Sequence, residues 1–174
     1  MRQMTKVAVT TISIALALSL TSCSGSGPNA ATRMINRVTD GAEAVVNTDG
    51  SDLRISNLLL VATEDGSAVV VGHIVNRADE ADQILGITVG GVGATLTGET
   101  KLVANKPIHF EGEQANAKAV FAGVGAVPGR NVDLTIGFAR AGLVTVRAII
   151  RDKRDIYADV TTGAKLATPA ATTK

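Results

Sequence analysis

In several segments of this chain apolar and polar positions alternate with a period of two. Leu53-Arg54-Ile55-Ser56-Asn57-Leu58-Leu59-Leu60-Val61 begins as such an alternation and ends as a continuous apolar run. Val132, Leu134, Ile136 and Phe138 recur at every second position, as do Val144, Val146 and Ala148, giving each segment one core face. Further strands are expected over Ala68 to Asn76, which is rich in β-branched residues, and over Ile84 to Val89, Gly93 to Thr97, Ala117 to Phe121 and Leu143 to Ile150, between the turns. Leu102-Val103 and Ile108-His109-Phe110 read as short edge pieces around Pro107. Glu64-Asp65-Gly66-Ser67, Pro128-Gly129 and Ala141-Gly142 supply turns, and Arg77 to Asp82 a polar loop. About seven or eight short strands without a long amphipathic helix predict an all-β fold, an antiparallel Ig-like or cupredoxin-like β-sandwich.

The pattern changes at both ends. Arg2 and Lys6 precede an uncharged apolar run from Val7 to Leu20. As a helix that run rises only about 21 Å, short of the roughly 30 Å hydrocarbon core, so it reads as a secretory signal. It ends in Leu20-Thr21-Ser22-Cys23, which resembles the bacterial lipobox. That resemblance implies a diacylglyceryl and N-acyl lipid, palmitate included, on Cys23 and cleavage just before it. The expected organisation is a signal peptide over 1–22, a lipid-anchored tether over 23–52, a β-sandwich over 53–160 and a Thr/Ala-rich disordered tail over 161–174. Ser24-Gly25-Ser26-Gly27-Pro28 opens the tether. Two or more acyl chains hold a protein stably on a bilayer, at about 0.8 kcal/mol per buried CH₂. The expected location is the cell membrane, facing outward.

Composition narrows the chemistry. Of 174 residues 45% are hydrophobic, yet only 2% are aromatic, so the core is aliphatic and few rings are left to stack bases or sugars. The formal charge is +1, and loss of Arg2 and Lys6 with the leader leaves 15 basic against 16 acidic residues, a charge of −1. Neither value supports a nucleic-acid partner. The single Cys excludes an intramolecular disulfide and any multi-cysteine zinc site.

No grouping of side chains spells out a reaction. Ser51, Ser56 and Ser67 lie in turn or strand contexts without a nucleophile elbow. Asp79, Glu80 and Asp82 share one loop and Glu111 and Glu113 another; both lack calcium-loop spacing and read as solvated loops. Gly86, Gly90, Gly91 and Gly93 feed a strand rather than a helix, which makes them turn or bulge glycines rather than a phosphate cradle. Arg151-Asp152-Lys153-Arg154-Asp155 is balanced in sign and reads as a loop; contact with lipid headgroups is the alternative. His73 and His109 are the two histidines, and each lacks a partner in its own stretch of chain. Were they to meet in space they would offer a surface copper or zinc site, though two ligands alone bind weakly.

Two blocks of sequence carry a family resemblance. Ile74-Val75-Asn76, the loop Asp79 to Asp82 and Gln83-Ile84-Leu85-Gly86-Ile87-Thr88-Val89 form the first; Val132 to Gly142 followed by Val144-Thr145-Val146 forms the second. They resemble the strand, Asp-rich loop and Phe-x-x-Ala-Gly turn of the periplasmic PCu(A)C copper chaperones, over about residues 53 to 150. With the lipobox and the few aromatics, the chain is similar to the actinobacterial LpqE-type lipoproteins, a divergent branch. The resemblance implies the sandwich fold and, in the family, Cu(I) held by His and Met. The matching stretches here, Gly98 to Asn105 and Asn116 to Phe121, contain neither His nor Met, and Met34 is the one Met beyond the leader. The family's copper site is therefore not expected to carry over, and no cofactor is expected. The leading expectation is a non-enzymatic, lipid-anchored envelope module that binds or scaffolds another envelope protein or small ligand. The alternative is metal (copper) handling through His73, His109 and Met34.

Overall fold

The computed structural model describes residues 40–163 and 166. Cys23, Met34, the leader and most of the tail lie outside the described residues. Those described form strands β1 (Ala42–Thr48), β2 (Ser51–Ala62), β3 (Ala68–Asn76), β4 (Asp82–Val89), β5 (Val92–Gly93) and β6 (Thr95–Gly98). After these come β7 (Lys101–Leu102), β8 (Ile108–His109), β9 (Ala117–Phe121), β10 (Asn131–Phe138), β11 (Gly142–Arg151) and a 3₁₀ turn at Asp155–Tyr157. The strands lie in the order β5-β4-β10-β11-β2-β3-β9-β6, with β1 beside β2, β7 beside β4 and β8 beside β3. All ladders between named strands are antiparallel except the short one joining β11 to β2 through Ile150/Leu60 and Arg151/Val61. The architecture is all-β, as the period-two pattern predicts, a mixed sheet curling into a sandwich.

The inner faces meet in one aliphatic core that includes Leu53, Ile74, Leu134 and Ile136 together with Phe110, Phe121 and Phe138. The apolar run at the end of β2 is explained by burial on both sides. Leu58 and Leu60 enter that core, while Leu59 and Val61 enter a second cluster on the opposite face, covered by Tyr157 and Val160. Fully burying a side chain of this size stabilises by about 1.5–3 kcal/mol, so the short C-terminal segment has a physical reason to lie on the sheet.

Three features depart from the sequence reading. Strand β1 occupies residues assigned to the tether: Ala42, Ala44 and Val46 pack against the core, but alanines give too weak an alternation to stand out. Asp82 is buried rather than solvated; its Oδ1 accepts the Gln83 N–H at 2.7 Å and the Arg140 N–H at 2.8 Å, and Oδ2 accepts the Ala141 N–H at 3.1 Å. Leu166, in the expected tail, lies against Gly98, where an added Cβ would come within 2.8 Å of its Cδ1. The paired motif blocks thus meet through Asp82. Asn76 closes the same region: its Nδ2 donates to the carbonyls of Glu80 (2.7 Å) and Leu102 (3.0 Å), and its Oδ1 accepts the Ala78 N–H at 3.0 Å.

Candidate metal centre

The fold brings the two histidines together. In the β3–β8 ladder His73 stands directly opposite His109, and Ile74 opposite Ile108. The isoleucines enter the core, so by alternation both imidazoles stand on the other face, each half-buried. Their ring centres are 5.4 Å apart with the planes tilted by 37°.

Local backbone chemistry produces that approach. The His109 N–H donates to Asn116 Oδ1 at 2.8 Å, and the His109 carbonyl accepts the Asn116 N–H at 3.0 Å. Both backbone groups of His109 therefore turn away from β3, while the Phe110 N–H reaches the Gly72 carbonyl at 3.1 Å. His73 and His109 form a non-hydrogen-bonded pair, the antiparallel arrangement that brings side chains closest. Asn116 also donates from Nδ2 to the Pro107 carbonyl at 3.1 Å, which pins both ends of the segment carrying His109. On the other side of β3, Gly72 (φ +133°) faces a bulge in β2 at Asn57, and a Cβ there would come within 2.8 Å of the Asn57 carbonyl oxygen. A glycine is required beside His73 for the two backbones to approach.

Burial, and then the charge of His73, hold the His109 imidazole below the usual histidine range. The neutral ring, which is the form that binds metals, is thereby favoured. No third His, Cys, Asp or Glu joins the pair into a larger cluster among the described residues.

The other candidates are placed differently. Ser56 is the cross-strand neighbour of His73 on β2, and Ser67 is buried with its Oγ accepting the Gly123 N–H at 3.3 Å. Ser51 is buried at the start of β2. Asp79 is exposed, and Glu80, also exposed, pairs with Arg140 at 2.6 Å. Glu111 forms an ion pair with Lys118, a residue only 4% exposed on β9 that sequence reasoning missed. That pair lies in a cavity of about 810 Å³ on the outer face, alongside Val71 and Tyr157. Gly90 and Gly91, both at positive φ, make the two-residue turn between β4 and β5. Arg151 pairs with Asp40 at 3.5 Å and Arg154 with Asp152. The stretches Gly98 to Asn105 and Asn116 to Phe121 meet where Gly98 stands opposite Ala117 and the Glu99 N–H donates to the Asn116 carbonyl at 2.8 Å, but they bear no donor suited to Cu(I).

No protein-family model matches the sequence, and none of the curated proteins does. Solved structures do resemble the fold. An apo PCuAC domain from PmoF1 superposes with a TM-score of 0.53 at 22% identity, covering 63% of this chain and 98% of that domain. A copper-bound PCuAC domain from PmoF2 gives 0.53 at 18% identity, covering 63% and 97%. The apo PmoF2 domain gives 0.51 at 18%, covering 66% and 97%. The likeness establishes a PCuAC-like fold.

Proposed function

We propose that this chain handles metal in the cell envelope, carrying copper at its surface through His73 and His109. The observation that supports this most strongly is their pairing across the β3–β8 ladder with ring centres 5.4 Å apart. Two residues without local partners converge on one face, and imidazole suits copper. The fold likeness to a PCuAC domain solved with copper supports copper as the cargo. The ligands are this chain's own, since Gly98 to Asn105 and Asn116 to Phe121 lack His and Met. Two imidazoles make a modest, exchangeable site, as a carrier that must release its cargo requires. No step of bond-making in a substrate enters this reading: the protein is a carrier, not an enzyme.

The lipobox ending at Cys23 supports a lipid anchor at the outer side of the cell membrane, as in the actinobacterial LpqE-type lipoproteins the sequence resembles. Titration of the purified protein with Cu(I) against a chromophoric chelator tests the cargo. One copper per chain is expected, with affinity falling at least about tenfold, roughly 1.4 kcal/mol, in both His73→Ala and His109→Ala. Unchanged affinity in the double variant would return the protein to the plain binding or scaffolding reading.

A further inference from the structure

We infer that His73 and His109 provide only part of a trigonal or tetrahedral metal site, which a neutral imidazole or thioether donor on a partner protein completes. This rests on the metal-handling reading above and adds how the cargo is held and passed on. A metal–imidazole bond is about 2.0–2.1 Å and the ring centre lies roughly 1.1 Å beyond the bonded nitrogen, so the metal sits about 3.2 Å from each ring centre. Ring centres 5.4 Å apart then subtend about 115–120° at a shared ion. A linear two-coordinate ion would need ring centres about 6.4 Å apart, and a cis square-planar pair about 4.5 Å. The observed spacing falls between these limits, at the angle of trigonal and tetrahedral centres.

The backbone positions from which the two rings project are held firmly. His73 is in a strand paired on both sides, and His109 is gripped through its own N–H and carbonyl by Asn116. A linear ion would require the two rings to swing about an ångström further apart from these anchored backbone positions. Among the described residues no other His, Cys, Asp or Glu completes a cluster with the pair, and Ser56 lies on the opposite flank of His73 from His109. Both rings are only half-buried, so a side chain from another molecule can reach the ion. Transfer is then ligand exchange: the incoming nitrogen or sulfur lone pair binds the ion before an imidazole nitrogen leaves. The oxidation state of the metal is unchanged, and no proton moves between neutral donors.

X-ray absorption spectroscopy of the full-length protein loaded with Cu(I), with and without one equivalent of free imidazole, tests this. The expected result is about three nitrogen donors per copper once imidazole is added, with copper retained on the protein and a protein–copper–imidazole species in native mass spectra. The same result is expected in Met34→Leu. A linear two-coordinate centre that ignores imidazole, or copper stripped without a mixed species, would overturn this inference while leaving the His pair as the cargo site. Loss of the third donor in Met34→Leu would overturn it too, by assigning that position to the chain itself. Copper bound equally well by the His73→Ala/His109→Ala double variant would overturn the metal-handling reading as well.

Discussion

Asp82, at the start of β4, holds the backbone of Arg140, 58 residues further along, through a 2.8 Å hydrogen bond from the Arg140 N–H. The other carboxylate oxygen accepts the Ala141 N–H, so one buried side chain fixes the turn between β10 and β11 against the polar loop that precedes β4.

Replacing it should be costly. Asp82→Ala leaves the N–H groups of Gln83, Arg140 and Ala141 without this acceptor, and a single stranded buried group costs about 1–3 kcal/mol. A loss of roughly 2–4 kcal/mol is expected from urea unfolding, with Asp82→Asn intermediate because it keeps one acceptor oxygen. A change below about 0.5 kcal/mol in the alanine variant would remove Asp82 from this role.

Lys118 and Glu111 make a second sharp expectation. Lys118 is 4% exposed and Glu111 16%, so removing one partner strands a charge against the sheet. Glu111→Leu should destabilise by about 3–5 kcal/mol, whereas the double change Glu111→Leu/Lys118→Met should recover most of it. Denaturant midpoints of the two variants and the parent decide the matter; equal losses in both would show that the charge is not the cause.

The histidine pair predicts an acid-sensitive fold. His109 protonates less readily in the folded chain than in the unfolded one, because burial and then His73 disfavour its cation. The unfolded state therefore binds more protons as pH falls below the ordinary histidine value near 6.5, and stability drops in that direction. It is fully present above that value and is lost progressively down through the lower folded value. Comparing thermal midpoints of the metal-free protein between neutral pH and the range below about 6.5 should show a decrease that is smaller in His109→Gln. An identical decrease in the variant would place the acid sensitivity elsewhere.

Much of the fold was legible because strands with one core face write themselves as period-two alternation. Val132 to Phe138 and Val144 to Ala148 are the plainest cases, and both lie within observed strands. The apolar run at the end of β2 was plain in the sequence, but its burial on two faces was not: Tyr157 and Val160, which cover the outer face, come from a short 3₁₀ turn and the residues after it, with no periodicity to announce them. The site was legible only as residue types. His73 and His109 each stood alone in sequence, and their meeting depends on the register of an otherwise weak two-residue strand. Asn116, which sets that register, carries no signal that separates it from any other loop asparagine. Asp82 and Lys118 were hidden for a related reason, because whether a charge is solvated or buried depends on strands far along the chain.

In the proposed function His73 and His109 bind one metal ion together. They are the two histidines of the chain, so the imidazole region of a ¹⁵N-histidine NMR spectrum contains their signals alone. Adding Cu(I) up to one equivalent should shift both sets of ring signals in parallel and saturate them at the same ratio. Ring signals that stay in place, or a single set that moves while the other does not, would rule out a site shared by the two histidines.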